Sequence, residues 1–591
     1  MTLDNQRKTS QDLLPIQHKK VADSYDLYPA YPLPAGQIQI GYVNLAEHIA
    51  SRKVTIIDGY AGVFWDQFRT ELDTALLGLG IHARWMPIDS ALRPQSEIEQ
   101  LVSTFLGGDD PLFGTRFTKK LSDFFDPKLL NAFQPDPQAQ ITILYGCGAA
   151  LVDWDAPVVY IDLPKNEIQF RARAGMITTL ATKTVLDAKS AYKRCYFVDW
   201  VVLRQHQADL LERIDLIIDG QTPDSPRFMA GDDFRAGLQE VAHSFVRLRP
   251  WFEAGVWGGQ WLKRQIPALP QDEVNYAWSF ELISPENGIV FESSGWLLEV
   301  SFDWLMAAHS LDVLGAEHVK RFGTEFPIRF DYLDTIEGGN LSLQCHPRPN
   351  YIRQHFGETF TQDETYYIFE AVPHARVYLG FQQDIDSVLF EQTLTDSFEH
   401  STKVDVERFV QVHPANKHDL FLIPNGTVHA SGAGSVVLEI SATPYIFTFK
   451  MYDWLRLGLD GKPRPLNLQR AFDNLHYDYK GDRVQKDLIC HPALLQQVDD
   501  WQIIHYPTHP EHFYDVHRLD FEHEIAVELN GSCHVLCVVE GQHIELMTSN
   551  GKTALFSYAE TFMIPAAAER YTLRNLGTGP VKVIKAFLKS N

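Results

Sequence analysis

The order of apolar and polar residues changes character near Arg247. Before it, continuous apolar runs alternate with segments of helical periodicity; the runs cover 54–58, 141–146, 158–163 and 214–219. The segment 97–106 has apolar residues at 98, 101, 102, 105 and 106, which is a helical stripe, and Ser96 lies near its start. Continuous apolar runs between helices are typical of buried parallel strands. The pattern predicts an α/β domain over residues 50 to about 240.

After Arg247 the chain changes to short alternating strands separated by glycine and proline turns. A helical insertion is expected around 303–322. A second all-β segment is predicted to start near His512 and to run to the end of the sequence. Short strands with regular turns predict β-barrel or sandwich units in this half of the chain.

Composition narrows the class of protein. The chain has 591 residues, of which 45 % are apolar, so more than one core is expected. Its 6 cysteines are scattered without a CxxC pair, which indicates reduced thiols in a cytoplasmic protein. The net charge of −24 argues against nucleic acid and anionic membranes as partners. No signal-peptide core or apolar run of roughly 20 residues is present, and the oligomeric state stays open.

Four residues suggest a metal site: Gln344, His346, Glu364 and His429. Two imidazoles, a carboxylate and an amide oxygen suit a divalent first-row metal, zinc above all. Gln344 and His346 are two residues apart, so on a strand both point to the same face. His429 closes a PxGxxH segment much later in the chain. A ligand pair, a nearby carboxylate and a distant histidine form the arrangement of a cupin.

At these positions the sequence resembles class I mannose-6-phosphate isomerases. The resemblance covers roughly 247–591 and runs through GVWGGQWL (255–262), LSLQCHP (341–347), IPNGTVHA (423–430) and the segment 438–471. It implies a zinc-dependent isomerase that interconverts mannose 6-phosphate and fructose 6-phosphate through an enediol. It also implies one zinc ion per chain, held by Gln344, His346, Glu364 and His429, and a sugar phosphate as the binding partner.

The residues around the implied zinc site depart from the family pattern at two positions. Gln362 stands where the family has a lysine, and Lys450 where it has an arginine. Lys450 keeps the charge without the bidentate fork of arginine. We expect Lys450, Gln362 and Glu281 in catalytic roles, with Glu439 and Asp453 as further candidate carboxylates. Substrate contacts are expected from Ser342, Arg348 and Arg456, with Arg353 as a further candidate. The two departures favour an alternative, a non-catalytic, metal-stabilised protein that binds or senses a sugar or sugar phosphate.

The C-terminal segment resembles a second cupin. Residues 559–575 match the second cupin motif in outline, but Arg570 stands at the position of a histidine ligand and Ala567 at that of a glycine. We therefore expect a metal-free barrel that packs against the first, with sugar binding as the alternative role.

The segment 56–68 resembles a degenerate P-loop of uridine-kinase-like proteins. Gly59 and Gly62 remain, whereas Trp65 occupies the lysine position and Asp66 and Gln67 replace the Ser/Thr pair. A P-loop needs its lysine and hydroxyl to bind phosphates and Mg²⁺. Asp162 and Asp219 follow apolar strands, as a Walker-B aspartate does. We expect a nucleotide-free domain used for assembly or ligand sensing, with active phosphotransfer as the alternative.

The predicted fold class is therefore multidomain, with an N-terminal α/β domain followed by a mainly-β double cupin with a helical insertion. The predicted divisions are a leader, a degenerate P-loop domain with a parallel sheet, a metal-binding cupin and a metal-free cupin: 1–45, 46–245, 246–500 and 501–591.

Overall fold

A computed structural model describes residues 6–18, 21 and 24–590 of the chain. The chain divides into two units. Unit 1 includes Tyr28–Ala242 and Pro285–Ser310, and unit 2 includes Val21–Leu27, His243–Ser284 and Leu311–Asn591. The chain therefore passes from unit 1 to unit 2 more than once, whereas the predicted domains are continuous segments. The four-part division stays a prediction.

The elements up to residue 242 are β1 (Ala30–Pro32), β2 (Ile38–Ile40), α1 (Tyr42–Ile49), β3 (Val54–Gly59), α2 (Trp65–Gly78), β4 (Ala83–Pro87), α3 (Gln95–Ser103), α4 (Pro127–Leu130), β5 (Ile141–Tyr145), β6 (Val158–Asp162), α5 (Lys165–Arg173), α6 (Ala188–Arg194), α7 (Trp200–Leu210), β7 (Ile214–Asp219), β8 (Arg227–Ala230) and α8 (Gly231–Ala242). The next elements are β9 (Trp251–Glu253), α9 (Trp261–Gln265), β10 (Trp278–Leu282), β11 (Gly288–Ser293), β12 (Trp296–Ser301), α10 (Asp303–Leu314) and α11 (Val319–Phe322).

The elements from 328 to 487 are β13 (Ile328–Asp334), β14 (Leu343–Cys345), α12 (Pro349–Phe356), β15 (Glu364–Ala371), β16 (Arg376–Phe381), α13 (Ser387–His400), β17 (Val410–Pro414), β18 (Leu420–Ile423), β19 (His429–Ser431), β20 (Ser435–Ala442), β21 (Phe449–Tyr452), α14 (Leu468–Asn474) and α15 (Asp482–Asp487). The last strands are β22 (Ala493–Gln497), β23 (Trp501–Tyr506), β24 (Tyr514–Phe521), β25 (Glu524–Glu528), β26 (His534–Glu540), β27 (His543–Thr548), β28 (Thr553–Ser557), β29 (Thr561–Ile564), β30 (Arg570–Asn575) and β31 (Val581–Leu588).

Unit 1 is built on a sheet of order β2-β8-β7-β6-β3-β5-β4. Its strands β4, β5, β3, β6 and β7 are parallel, and β8 and β2 continue the sheet in antiparallel pairing. The parallel strands predicted from the four apolar runs are confirmed. Helices α1 and α2 bury Leu45, Ile49, Leu72 and Leu76 against the sheet. A smaller sheet, β1-β11-β12, also belongs to this unit.

Unit 2 contains two pairs of antiparallel sheets. The first pair has the orders β18-β15-β20-β13-β10-β9 and β17-β16-β19-β14-β21. The second has the orders β22-β23-β24-β31-β26-β29 and β25-β30-β27-β28. The sheets of the second pair face each other where Nδ1 of His534 lies 3.1 Å from the hydroxyl of Tyr571.

Three expectations about elements can be compared with the structure. Helices α10, which is interrupted at His309, and α11 occupy the position of the expected helical insertion. The second all-β segment begins earlier than expected, because β22 and β23 precede His512; β22 pairs with β23, and β23 pairs with β24. The leader contributes β1 to the small sheet and β2 to the large one. Its residues 1–5, 19–20 and 22–23 lie outside the described part of the chain.

Candidate metal centre

Gln344, His346, Glu364 and His429 converge between the first pair of sheets of unit 2. Gln344 lies on β14 directly opposite His429 on β19, and His346 follows the end of β14. Glu364 begins β15 in the facing sheet. All four side chains are buried, with exposed fractions of 8 %, 1 %, 1 % and 0 % for Gln344, His346, Glu364 and His429. The structure therefore brings the four predicted metal ligands together.

The contacts around Glu364 define the centre. Its Oε2 atom lies 2.5 Å from Nε2 of His346 and 3.1 Å from Nε2 of His429. Nε2 of Gln344 lies 3.3 Å from Nε2 of His429. Rotation of the Gln344 amide by half a turn would direct its oxygen to the same position. Two imidazoles, a carboxylate and an amide thus share one small space.

Both imidazoles are held with the same ring nitrogen toward the centre. Nδ1 of His346 lies 3.0 Å from the carbonyl oxygen of Phe447, and Nδ1 of His429 lies 2.9 Å from that of Thr427. A carbonyl only accepts hydrogen bonds, so each Nδ1 carries a hydrogen, and in the neutral ring the lone pair is on Nε2. This tautomer is the one that metal-binding histidines adopt when a carbonyl accepts from their other nitrogen.

The electrostatics of the centre favour a bound cation. Burial by itself would raise the pKa of Glu364, but His346 and His429 outweigh burial and hold that pKa well below its ordinary value. Burial lowers the pKa of His346, although Glu364 opposes this change. Glu364 therefore stays ionised, and its Oε2 atom lies within 3.1 Å of both Nε2 atoms, so a cation can take the place of the protons between them. The donor set fits zinc, which binds imidazole nitrogen and carboxylate oxygen.

Gly426 joins two of the ligand segments. Its backbone N–H donates to the carbonyl of His346 over 2.9 Å. Its φ of +74° lies in the left-handed region, and a Cβ there would lie 2.5 Å from the carbonyl oxygen of Asn474. The glycine of the PxGxxH segment is therefore required by both conformation and space.

The charged residues beside Glu364 form a network on the same face of the sheet. Ser441 lies opposite both Glu364 and Arg329 in the register of β20. Nε of Arg329 donates to the Ser441 hydroxyl over 2.8 Å and lies 3.2 Å from Asp331, and its guanidinium also contacts Glu439. Burial raises the pKa of Asp331 to about 6, and the nearby Glu364 adds to this rise. Glu439 thus belongs to a buried charged network on the face of the sheet that carries Glu364.

Lys450 and Gln362 lie near the centre by register and sequence. Lys450 on β21 pairs with Gln344, so His429, Gln344 and Lys450 form a row across three neighbouring strands. Directly paired residues project to the same face, about 4.5–5.5 Å apart at Cβ. Gln362 precedes β15 and is buried, and its Oε1 atom has no hydrogen-bond partner within the described residues.

A second polar group lies at the adjoining ends of β14 and β21. Asp453 accepts a hydrogen bond from the Ser342 hydroxyl over 2.8 Å and pairs with Arg456 at 2.5 Å and with Arg464 at 2.6 Å. Burial opposes ionisation of Asp453, but Arg464 and Arg456 hold its pKa below the ordinary value. The group carries one excess positive charge. No motif in the sequence marks Arg464, although it lies in the family-like segment 438–471.

Two predicted site residues, Arg348 and Glu281, make their hydrogen bonds with groups other than the four proposed ligands. Arg348 donates from Nε to the carbonyl of Asn474 over 2.8 Å and from its guanidinium to the carbonyl of Leu475, so it closes the C-terminal end of α14. Glu281 accepts hydrogen bonds from the hydroxyls of Tyr25, over 2.5 Å, and of Ser279.

Ser279 pairs with Tyr332, whereas Asp331 and Glu364 project from the other face of the same sheet. The structure therefore separates Glu281 from the metal centre, and its carboxylate belongs to a buried network with Tyr25.

In unit 1, the predicted P-loop segment connects β3 to α2. The Arg171 guanidinium donates to the Gly62 carbonyl over 3.0 Å and lies 4.3 Å from the centre of the Phe64 ring. Asp162, at the carboxyl end of β6, accepts hydrogen bonds from the backbone and hydroxyl of Ser301 and from Trp304. Open α/β sheets bind ligands at this edge, and here the end of β12 and the start of α10 occupy it.

Comparison with known proteins gives three results. Residues 41–243 match a family model described as a domain of unknown function (DUF8485). The chain is 27 % identical over 229 residues to the mannose-6-phosphate isomerase ManA of Bacillus subtilis, covering 38 % of this chain and 66 % of that protein. It is 27 % identical over 224 residues to the mannose-6-phosphate isomerase of Streptococcus mutans, covering 37 % and 64 %. The chain thus spans just under two thirds of the length of these relatives.

Among solved structures, the Bacillus subtilis mannose 6-phosphate isomerase matches with a TM-score of 0.47 and 19 % identity, covering 58 % of this chain and 99 % of that one. A zinc-bound mannose 6-phosphate isomerase matches with a TM-score of 0.45 and 14 % identity, covering 59 % and 100 %. The similarity in sequence to proteins named mannose-6-phosphate isomerase covers part of the chain. None of the helices in the described part of the chain combines the length and apolar character needed to cross a membrane.

Proposed function

We propose that the chain is a zinc-dependent aldose–ketose isomerase that interconverts mannose 6-phosphate and fructose 6-phosphate through an enediol. The observation that carries this proposal is the convergence of His346, Glu364 and His429, whose ligand atoms all lie within 4.8 Å of one another. Sequence similarity to proteins named mannose-6-phosphate isomerase supports the reaction. A zinc ion held there, with Gln344 as its fourth ligand, would act as a Lewis acid toward the sugar oxygens.

Two sets of cationic residues have different proposed roles, one toward the reacting sugar oxygens and one toward the phosphate. Lys450, beside Gln344 in the row of three strands, would stabilise negative charge on a sugar oxygen as the enediol forms. The group of Ser342, Asp453, Arg456 and Arg464 carries one excess positive charge, which suits the substrate's phosphate. Because Arg348 and Glu281 are engaged elsewhere, we assign them no contact with substrate.

The second candidate function is a metal-stabilised protein that binds a sugar or sugar phosphate without turnover. Gln362 favours it, because a side-chain amide cannot act as a general acid or base near neutral pH, and its Oε1 atom is buried without a hydrogen bond within the described residues. This alternative keeps the metal centre and the arginine group but lacks proton transfer.

An isomerase assay separates the two candidates. The full chain is loaded with zinc, and conversion of mannose 6-phosphate to fructose 6-phosphate is measured against His429→Ala. Turnover that is lost in this variant supports the isomerase. Absence of turnover in a zinc-loaded chain that still binds mannose 6-phosphate by calorimetry supports the binding protein. A zinc-loaded chain with neither property contradicts both proposals.

A further inference from the structure

Two histidines and an aspartate meet on one face of the C-terminal sheet of unit 2. His505 on β23 lies directly opposite His517 on β24, and their ring centres are 5.2 Å apart. Asp515 is two residues before His517 and therefore projects to the same face. Its Oδ2 atom lies 2.9 Å from Nε2 of His505. One ligand atom from each of the three residues lies within 4.8 Å of the other two.

The carboxylate of Asp515 is already oriented by the backbone. Its Oδ1 atom accepts from the N–H groups of Thr508, over 3.2 Å, and Val516, over 3.1 Å, and from the Thr508 hydroxyl over 3.3 Å. These bonds leave Oδ2 directed at His505. Hydrogen bonds that fix a ligating carboxylate in this way are a regular feature of metal sites.

His517 distinguishes this cluster from an ordinary ion pair. Its ring packs against Phe587, with centres 4.8 Å apart, and its ring nitrogens make no hydrogen bond within the described residues. An exposed His–Asp ion pair adjoins the same two strands, β23 and β24, for comparison. Nδ1 of His523 lies 2.5 Å from Asp500, and the His523 side chain is 82 % exposed. The His505 and Asp515 side chains are only 32 % and 17 % exposed, and a second imidazole completes the set.

Lys585 opposes cation binding at this place. It pairs with His517 in the register of β24 and β31 and is 7 % exposed, with its Nζ 4.7 Å from the centre of the Phe587 ring. Its ammonium balances the charge of Asp515, so a bound dication would be repelled by Lys585 and attracted by Asp515. Removing the ammonium therefore strengthens binding if a metal occupies the cluster.

We propose that His505, Asp515 and His517 bind a second divalent first-row transition metal of the zinc class. Two imidazoles and one carboxylate form a donor set that such metals take, with further coordination positions open to water. The ion would join β23 to β24, since both strands contribute ligands. The proposal differs from the expectation of a metal-free C-terminal barrel, and it does not depend on the isomerase reaction.

Metal counting tests this inference on the full chain. The protein is stripped with a chelator, loaded with zinc, desalted and analysed for metal per chain. His517→Ala is expected to hold one zinc fewer than the unsubstituted chain, and the matched control His523→Ala the same number. His346→Ala removes a different zinc, so the two sites are counted separately. Equal zinc content in the unsubstituted chain and His517→Ala overturns the proposal.

Two further variants keep the inference testable if His517→Ala does not fold. His505→Gln retains a polar side chain of similar size, and it too should lose one zinc. Lys585→Met should bind zinc at least about tenfold more tightly by calorimetric titration, which corresponds to about 1.4 kcal/mol. If the His–Asp cluster has only a structural role, neither variant should change zinc affinity. That result would contradict a metal site.

Discussion

Gln344 and Lys450 project to the same face of neighbouring strands, because β14 and β21 pair these two residues directly. A cation therefore adjoins one of the four proposed zinc ligands without belonging to the ligand set. Metal binding and charge stabilisation can thus be separated by substitution at these two positions.

Lys450→Met should retain zinc and lose turnover. The substitution preserves much of the side-chain volume but removes the ammonium proposed to stabilise the enediol, so we expect kcat to fall about 100-fold. Lys450→Arg, which keeps the charge, should retain more activity. Steady-state kinetics with metal analysis measures both effects, and unchanged kcat in Lys450→Met would exclude the proposed role.

Glu364→Ala should abolish stoichiometric zinc at the first centre. The carboxylate contacts both imidazoles and carries the negative charge of the donor set, so its loss leaves only neutral ligands. Elemental analysis after desalting measures the loss. His400→Ala, at the exposed end of α13, is the matched control and should leave zinc content unchanged. Retention of the full zinc content by Glu364→Ala would show that the ligand set is wrong.

Gly426→Ala should destabilise the metal centre more than an equivalent change elsewhere. Gly426 and Gly461 have nearly the same positive φ, +74° and +73°, but only at Gly426 would a Cβ meet neighbouring atoms within 4 Å. Backbone strain of about 1 kcal/mol or more is common to both. Denaturant unfolding should show a larger loss of stability for Gly426→Ala, with reduced zinc binding. Equal losses in the two variants would mean that the site relaxes around the new methyl group.

Asp334 should make stability depend on pH. Burial raises the pKa of this carboxyl from 3.8 to about 6, although backbone N–H groups of Leu262 and Ile336 donate to it. Between about pH 4 and 6 this carboxyl is therefore protonated in the folded chain and ionised in the unfolded chain. The stability of the fold falls as the pH rises through this range. The size of the rise corresponds to about 3 kcal/mol.

Asp334→Asn removes this titration. As the pH rises from 4 to 7, the unfolding free energy of the unsubstituted chain should therefore fall relative to that of Asp334→Asn. Other titrating groups cancel in that difference. A difference that does not change with pH would contradict the raised pKa.

Arg464→Gln should weaken binding of the substrate's phosphate end. The substitution removes a positive charge from the group around Asp453, so KM should rise several-fold while kcat changes less. Arg408→Gln, at a position outside this group, serves as the control. A fall in kcat with unchanged KM would place Arg464 in another role.

The sequence predicted those parts of the site that depend on local spacing. Gln344 and His346 share a face because they are two residues apart, and the apolar runs of unit 1 became parallel strands. Glu281 could not be placed, because its face depends on the register between β10 and β13 and on an irregularity at that position. Arg464 lies between prolines in a turn without periodicity, so no pattern marked it. The return of residues 285–310 to unit 1 depends on pairing between distant segments.

The return of residues 285–310 to unit 1 sets the order in which the chain can fold during synthesis. The ends of β6 and β7 place Asp162 and Asp219 where they accept hydrogen bonds from the backbone of Ser301 and Glu299. A growing chain that has emerged only as far as residue 242 lacks these donors. Unit 1 therefore reaches its complete hydrogen bonding only after part of unit 2 has already been synthesised. A fragment cut at the boundary of the matched family model would leave two buried carboxylates without these partners.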